Sequence, residues 1–365
     1  MGTPRLLGVR GALAAASLLA VVMLVLAAGS ADAAFPGQNG KIAFSKDNFR
    51  NGTSGIFTIA PAGGGQEKLG PEYGYSPSWS ADGEKLVFVG FSGDGEQEFN
   101  QDIYVMNDDG SELQRVTSGR AFEASPSFFP DGQRIAFARY TRDSADIFTK
   151  TIGVPGSTRL TDNPAFEDSV AVSPDGARIA FTRFSRSAAS SELYVMNAAG
   201  TGAENLTKTD QIDEFGADWS PDGGKIAFTS VRYSGPEGPA ARAAESQEKG
   251  AFTPEALTPE SLAREASESK DHSGEFQEDV EVSMINADGT GRKDLTAGPA
   301  YDILPAFSPS GDKIVFSKVT FEGRSEQSEL FVMRADGANK TQITDTPRAF
   351  EYEADWQPAP AVAIP

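Results

Sequence analysis

The chain has 365 residues, a formal net charge of −20, no cysteine and a single histidine, His272. The absence of cysteine excludes disulfides and thiolate metal sites, and the acidic charge argues against nucleic acid, whose phosphates are bound by clustered Lys and Arg. With one histidine, His-rich metal sites are excluded, and any Ser-His-Asp catalysis would depend on His272 alone.

Residues 1–33 have the composition of a secretory leader. Two arginines precede a Leu/Ala/Val run from about Ala12 to Ala28, and Ala31-Asp-Ala33 offers small residues for cleavage. We therefore predict an exported protein. Removal of the leader, with its two arginines and one aspartate, would change the formal net charge from −20 to −21. The alternative is an uncleaved membrane anchor, because the apolar run approaches spanning length. Export without disulfides fits a bacterial periplasmic or extracellular location.

A repeated pattern follows the leader. Each copy contains an aromatic or apolar anchor residue, then Ser-Pro-Asp-Gly or a variant, then a short apolar triplet of the Ile-Ala-Phe type. The anchors are Phe35, Trp79, Phe128, Val172, Trp219, Phe307 and Trp356, at steps of 44, 49, 44, 47, 88 and 49 residues. A period of about 40–50 residues built from short strands is typical of propeller blades.

Each repeat predicts four antiparallel strands. The anchor ends the first strand, and Pro-Asp-Gly predicts a tight turn because Pro fixes φ and Gly adopts positive φ. The apolar triplet predicts a second strand that is buried on both faces. A third strand such as Ile103-Tyr-Val-Met106 ends in another turn, and a fourth short strand ends in Leu-Thr or a variant, as at Val116-Thr117.

The 88-residue step contains only one triplet and one third strand. We therefore predict six blades, with residues 234–278 as an acidic, partly helical or disordered insertion in the fifth blade and 359–365 as a disordered tail. The last anchor segment, residues 353–357, has no strands after it, whereas the first repeat lacks a first strand. The C-terminal strand is thus predicted to complete the first blade, so that residues 34–358 form an all-β, six-bladed propeller of four-stranded antiparallel blades without open sheet edges.

The combined motif resembles the PD40 (WD40-like) repeats of TolB-type β-propellers. The resemblance is carried by the Trp-Ser-Pro-Asp-Gly-x-x-Ile-Ala-Phe, Ile-Tyr-Val-Met-x-x-Asp-Gly and Leu-Thr segments, over roughly residues 35–358. It implies a propeller that binds protein partners, and it suggests a link to envelope transport. TolB itself carries an α/β domain ahead of its propeller, for which we expect no counterpart here.

The predicted strand order separates short turns from variable loops. The Pro-Asp-Gly and Asp-Gly turns share one face, whereas the second-to-third-strand loops and the blade-to-blade connections share the other. The acidic loop at residues 92–98 and the insertion belong to this second face. Variable loops on a rigid frame commonly carry function, so we predict the binding surface there.

Acidic residues recur five positions before the anchors on the same face. They are Glu123, Glu167, Glu214, Asp302 and Glu351, and Gly74 holds this place in the second blade. We hypothesise a carboxylate ring at one channel mouth, which would bind a divalent cation or a basic partner because clustered carboxylates repel one another. The alternative is a structural role, in which each acid accepts hydrogen bonds from backbone N–H groups of the next blade.

Two functional classes follow from the sequence. The first is a non-catalytic platform in the cell envelope for an envelope or secreted protein or peptide, basic if the carboxylates contact it. For this class we expect a monomer that needs no cofactor. The protein would be attached to the membrane only if residues 1–33 are retained. The second is a metal-dependent, carboxylate-based polysaccharide lyase or hydrolase at the channel mouth. The scarcity of catalytic side chains favours the platform, and the Gly-x-Ser-x-Gly motif of propeller-bearing peptidases is absent.

Overall fold

The computed structural model describes residues 34–48, 52–92, 100–141, 144–185, 190–209, 212–234, 277–322 and 325–359. Strands are the regular elements throughout these ranges. They contain no helix long and apolar enough to cross a membrane. Four predicted segments lie outside the described residues: the leader, residues 93–98 of the acidic loop, residues 235–276 of the insertion with His272, and residues 360–365 of the tail.

The chain folds into consecutive groups of antiparallel strands. Three strands come first: β1 (Gln38–Asn48), β2 (Thr53–Ile59) and β3 (Glu67–Leu69). The second blade comprises β4 (Tyr75–Trp79), β5 (Lys85–Ser92), β6 (Asn100–Asn107) and β7 (Gln114–Arg115). The third comprises β8 (Phe122–Phe128), β9 (Arg134–Tyr140), β10 (Ala145–Thr151) and β11 (Thr158–Arg159).

The remaining blades repeat the same order. The fourth comprises β12 (Phe166–Val172), β13 (Arg178–Ser185), β14 (Ser190–Asn197) and β15 (Glu204–Asn205). The fifth comprises β16 (Ile212–Trp219), β17 (Lys225–Ser234), β18 (Gln277–Asn286) and β19 (Lys293–Asp294). The sixth comprises β20 (Tyr301–Phe307), β21 (Lys313–Glu322), β22 (Ser325–Arg334) and β23 (Thr341–Gln342), and β24 (Ala349–Ala359) ends the described chain.

The last strand completes the first blade, as predicted. β24 pairs antiparallel with β1, from Gln38 opposite Ala359 to Asn48 opposite Ala349, so the sheet runs β24-β1-β2-β3. Ala359 is therefore part of the strand, one residue beyond the expected end of the propeller. β24 also contacts β20 of the sixth blade and β4 of the second. The all-β fold of four-stranded antiparallel blades is confirmed.

The repeated motif supplies the core between the blades. The apolar triplets are buried on both faces of the second strands, and the anchors Trp79, Trp219 and Trp356 are fully buried. The Leu-Thr motif has a local role: the Thr117 hydroxyl accepts the Ile103 N–H at 2.8 Å, and the Thr344 hydroxyl accepts the Leu330 N–H at 2.8 Å. Threonine thus ties the end of the fourth strand to the third.

Every inner strand of the six blades contains a bulge three residues before its anchor. The bulge residue has positive φ, and the pairing with the second strand shifts by one residue there. These residues are Ser76, Ser125, Ser169, Gly216, Leu304 and Glu353, with φ between 49° and 62°. A bulge bends the strand and redirects the side chains before it, so it decides which residues of the first two strands face each other.

Candidate functional site

The five recurring acids lie within the first three residues of inner strands, at one end of the propeller. We call this end the upper face, the end with the Pro-Asp-Gly turns the turn face, and the five acids the upper carboxylates. All five side chains are buried. They therefore lie at the same end of their inner strands, and they are not exposed to solvent.

Each upper carboxylate forms an ion pair with a cation of its own blade. The pairs are Glu123–Arg139 at 2.6 Å, Glu167–Arg183 at 2.6 Å, Glu214–Arg292 at 2.6 Å, Asp302–Lys318 at 3.2 Å and Glu351–Lys46 at 3.0 Å. In four of them the cation lies directly opposite the acid on the second strand. The chain itself thus supplies positive charges beside the upper carboxylates, where the sequence analysis expected a divalent cation or a basic partner.

Further hydrogen bonds connect the upper carboxylates to the segment arriving from the preceding blade. Asn163 donates to Glu167 at 2.7 Å, and the hydroxyls of Thr207 and Thr209 each donate to Glu214 at 2.7 Å. These partners are neighbours in adjacent blades and not groups across a channel. The arrangement links successive blades through side chains, which is close to the structural alternative but does not use the backbone N–H donors that it assumed.

Acid and cation are lost together in the second blade. Gly74 takes the acidic position, and Gly90 takes the position of the cation, four residues after the first residue of the triplet. A Cβ added to Gly90 would lie 2.8 Å from the Tyr104 ring, and one added to Gly74 would lie 3.2 Å from Ile56 Cδ1. Apolar packing therefore fills the place of the ion pair.

The fifth blade keeps the acid but replaces the cation. Ser230 stands opposite Glu214 on the second strand and is too short to carry charge to it. Arg292, from the segment before the fourth strand, passes over the Phe228 ring and reaches Glu214 instead. Because Arg292 lies outside the second strand and still pairs with Glu214, we infer that the buried charge of Glu214 requires a cation at this position.

Burial and ion pairing have opposite effects on the upper carboxylates. Burial raises the pKa of Glu123, of Glu214 and of Asp302, because loss of water disfavours the charged form. The hydrogen bonds and the cation beside each of these groups lower its pKa again. The ion pairs therefore offset part of the cost of burying the charges.

The cations of these pairs escaped the sequence reasoning, although a signal existed. A basic residue follows the first residue of the triplet by four positions in four repeats. These residues are Lys46, Arg139, Arg183 and Lys318. Their absence from the blade that has Gly74 is visible in the sequence too. Comparison of the repeats with one another would have found the pairs.

Two more acids, Asp168 and Glu353, lie deeper on inner strands, and we call them the axial acids. They belong to the fourth and first blades, which are opposite in a six-bladed arrangement, and the charge of Asp168 raises the pKa of Glu353. Burial is the main cause, and it raises the pKa of Asp168 to about 6 and that of Glu353 to about 8. No Lys or Arg within the described residues forms an ion pair with either acid.

The axial acids are held by uncharged donors. Glu353 Oε2 accepts the Ser76 N–H at 2.8 Å and the Ser45 hydroxyl at 3.0 Å, whereas its Oε1 has no hydrogen-bond partner among the described residues. Asp168 accepts the Ser125 hydroxyl at 2.6 Å and the Tyr140 hydroxyl. Sequence reasoning missed both acids; the available signal was a carboxylate inside a strand that is otherwise buried.

Comparison with known proteins agrees with this geometry. Residues 92–237 match the family model described as the TolB beta propeller domain, PD40. TolB from Acinetobacter baumannii is similar in structure, with 20% identity and a TM-score of 0.63 over 89% of this chain and 68% of that one. The fold is a TolB-like β-propeller. No curated protein matches the sequence.

Other solved structures share the fold of the TolB-like propeller at lower identity. Hydrazine synthase from Kuenenia stuttgartiensis is 13% identical, with a TM-score of 0.61 over 89% of this chain and 48% of that one. An oligogalacturonate lyase from Vibrio parahaemolyticus is 9% identical, with a TM-score of 0.51 over 88% of this chain and 79% of that one. Similarity at this level concerns the fold alone, because one fold serves many functions.

The upper face of the TolB-like propeller also carries exposed aromatic residues. Tyr73, Phe91 and Phe122 are 57%, 39% and 37% exposed, and we call them the aromatic patch. Phe91 lies two residues beyond Val89, the partner of Tyr75, and its ring centroid is 5.7 Å from that of Tyr75, whereas Tyr73 lies in the turn that leads into this strand. Phe122 begins the inner strand of the next blade. Exposed aromatic clusters are a common feature of binding surfaces.

A cavity of about 330 Å³ lies between the second and third blades, and the residues on either side of Phe122 in the chain, Ala121 and Glu123, line it. Glu123, Arg139 and Lys150 line it together with Thr117. Glu123 Oε2 has no hydrogen-bond partner among the described residues. Within those residues, no group of three or more His, Asp or Glu is placed to hold a metal ion.

Proposed function

We propose that this TolB-like propeller is a non-catalytic platform that binds a protein or peptide through its upper face in the cell envelope. The observation that carries the proposal is the aromatic patch, which exposes large apolar side chains on the face where the loops vary. Aromatic side chains that are accessible before binding supply much of the energy of protein interfaces. The upper carboxylates stabilise the frame beneath this surface.

Charge defines the kind of partner that the surface favours. The chain has a net charge of −20, and the loop next to Phe91 contains Asp94, Glu96 and Glu98 in its sequence. A basic partner segment with apolar residues would match both features, since complementary charge speeds association and apolar contact slows release. Of the five upper carboxylates, Glu123 is best placed to meet such a segment, because it lines the cavity beside Phe122.

The envelope location is supported by two independent features. The first 33 residues have the pattern of a secretory leader. The fold is that of TolB, for which protein partners and a link to envelope transport are what the resemblance implies. A transport-linked role for this chain is part of the proposal.

The platform is tested by capture from an envelope extract of the source bacterium, followed by cross-linking and mass spectrometry. We expect the wild-type protein to retain at least one specific protein, and we expect Tyr73→Ser/Phe122→Ser to retain at least about tenfold less of it, as loss of two interface aromatics predicts. Leu113→Ser/Val154→Ser is the matched control. These residues are 49% and 53% exposed and lie in third-to-fourth-strand turns, on the turn face.

Unchanged retention by the Tyr73→Ser/Phe122→Ser variant would overturn the assignment of the surface. Absence of any specifically retained protein would overturn the platform itself. The alternative, a metal-dependent carboxylate enzyme, would then be favoured by release of unsaturated or reducing products from polyanionic sugars. Assays with added Ca²⁺ or Mn²⁺ on such sugars separate the two functions.

A further inference from the structure

The described chain begins in a buried position on the turn face. Ala34 and Phe35 are only 2% and 4% exposed. Ala34 packs in the cluster that contains Phe307, and Phe35 in the cluster that contains Phe128, so these two residues contact several blades at once. The Ala34 nitrogen donates to the Trp219 carbonyl at 3.3 Å.

A pair of buried acids lies on the inner strands beside this segment. Asp218 and Asp355 each precede an anchor residue, and each links its blade to the next: Asp218 Oδ2 accepts the Phe307 N–H at 2.5 Å, and Asp355 Oδ2 accepts the Trp79 N–H at 2.7 Å. They are 1% and 2% exposed. In the described part of the chain, neither acid has a Lys or Arg ion-pair partner, in contrast to the upper carboxylates.

One oxygen of this pair is unsatisfied and lies close to the start of the chain. Asp218 Oδ1 is buried and has no hydrogen-bond partner among the described residues. The Ala34 backbone N–H lies near the Asp218 carboxylate and is among the groups that lower its pKa, yet it makes no hydrogen bond of normal geometry to Oδ1. A peptide N–H provides one donor here, and the Trp219 carbonyl already uses it.

We propose that removal of residues 1–33 creates a buried ion pair between the new α-ammonium group of Ala34 and the Asp218 carboxylate, with Asp355 as the second negative charge. Hydrolysis by a leader peptidase adds one water across the Ala33–Ala34 peptide bond. Ala33 leaves with a carboxylate, and Ala34 keeps an amino group that takes up a proton near neutral pH. The ammonium group has three donors, so it can bond Asp218 Oδ1 while retaining the Trp219 carbonyl.

The electrostatics of the site are consistent with a missing positive charge. Burial raises the pKa of Asp218 well above its ordinary value, and the neighbouring Asp355 raises it further. Burial likewise raises the pKa of Asp355 to about 7. A buried cation close to two carboxylates favours their charged forms. The site would thus be complete only in the processed protein, and cleavage would stabilise the finished fold.

The first experiment uses the full 365-residue precursor, exported by a bacterial host. Intact-mass measurement of the exported protein is expected to place its first residue at Ala34. A second precursor carries Gly-Ser inserted between Ala33 and Ala34, so that the same cleavage leaves the amino group two residues away from its site. A start other than Ala34 in the exported wild type would overturn the proposal.

The second experiment measures the pKa of the α-amino group by competitive acylation across pH, read by mass spectrometry. We expect the Ala34 group to titrate at least one unit above the ordinary range of about 7.7–8.0. The Gly-Ser-extended protein and Asp218→Asn are expected to return it to that range. The extended protein is also expected to melt a few degrees lower, because it lacks this ion pair.

Glu84→Gln is the matched control, because it removes one exposed carboxylate from the same face. It should leave the α-amino pKa unchanged. The amide oxygen introduced by Asp218→Asn can still accept the Phe307 N–H, so the variant removes charge without removing that link. If Asp218→Asn fails to fold, the Gly-Ser extension provides the same comparison. An α-amino group with an ordinary pKa in the exported wild type would overturn the ion pair.

Discussion

The upper carboxylates and the axial acids are the same chemical groups on the same inner strands, yet their environments differ. Each upper carboxylate has a cation within 3.2 Å, whereas the axial acids Asp168 and Glu353 have only hydroxyl and N–H donors in the described structure. Burial raises the pKa of Glu353 to about 8, so this carboxyl group is protonated near neutral pH.

The difference shows how a buried acid is accommodated in this fold. Where the second strand or a nearby turn supplies Lys or Arg, the acid stays paired and links two blades. At Glu353, protonation replaces ion pairing, whereas Asp168, with a pKa of about 6, is charged near neutral pH and is held by hydroxyl donors. An acid that recurs in successive blades therefore does not by itself indicate a ligand site. An acid without an equivalent in the other blades, such as Glu353, is the more unusual feature.

The largest effect is expected from leaving one upper carboxylate without its cation. Arg183→Met keeps much of the aliphatic side chain but leaves Glu167 buried and unpaired, which should lower the free energy of unfolding by about 3 kcal/mol. Denaturant titration measures this loss. Adding Glu167→Gln to Arg183→Met should recover part of it, because the unpaired charge is then gone.

Lys41→Met is the exposed control for that comparison. Lys41 and Glu67 pair at 3.7 Å with side chains that are 55% and 73% exposed. Loss of this pair should change the free energy of unfolding by about 0–1 kcal/mol. Equal losses in Arg183→Met and Lys41→Met would mean that the upper ion pairs are energetically ordinary surface contacts.

Replacement of the axial acid Glu353 is expected to raise the free energy of unfolding, an effect of opposite sign and intermediate size. Because the pKa of Glu353 is raised to about 8, the folded protein keeps this proton up to about pH 8, whereas the unfolded chain loses it near the ordinary glutamate pKa of 4.5. Wild-type stability should therefore fall as pH rises through this window, because the unfolded state binds fewer protons there. Glu353→Gln should be more stable than wild type at pH 8 by about 1–3 kcal/mol, with little difference at pH 5.

Thermal melts at pH 5, 6.5 and 8 measure this dependence. Glu72→Gln is the control, since the Glu72 side chain is 72% exposed, and it should follow the wild-type pH profile. A Glu353→Gln variant that is destabilised at all three pH values would indicate that Glu353 is ionised and paired in the folded protein.

The smallest effect is expected from added divalent cations. The sequence analysis predicted that a divalent cation could bind the upper carboxylates, and this remains a proposal for experiment. The upper carboxylates already pair with cations of the chain: Lys46, Arg139, Arg183, Arg292 and Lys318. We therefore expect weak or no metal binding, so that millimolar Ca²⁺ or Mn²⁺ moves the melting temperature by less than about 1 °C. A larger, saturable rise would show that a metal ion competes with these side chains.

The bladed fold could be read from the sequence because anchors and triplets recur with the same spacing. The partners of the upper carboxylates could be found only by comparing the repeats and not by counting along the strands, because the bulge changes the register. Phe128 pairs with Ile135, and an uninterrupted ladder would place Glu123 opposite Tyr140. The bulge at Ser125 places it opposite Arg139 instead. Serine carries no strong sequence signal for positive φ, so the one-residue shift was hidden.

The interaction between the two axial acids could not be predicted, for another reason. Asp168 and Glu353 lie far apart in sequence, and their interaction depends on the fourth and first blades facing each other. The local sequence does not distinguish Glu353 from Glu351, two residues earlier. In the described structure, Glu351 forms an ion pair with Lys46, whereas Glu353 has no cation as a partner. Only the three-dimensional arrangement separates the two.

The pairing of β24 with β1 has a consequence for biogenesis. The first blade receives its inner strand from a segment far along the chain, so an emerging polypeptide has β1 paired with β2 but exposes the other edge of β1 until β24 has been synthesised. Premature termination before Ala349 would leave that edge open to aggregation or proteolysis. The architecture thereby distinguishes chains that contain β24 from chains that end before it.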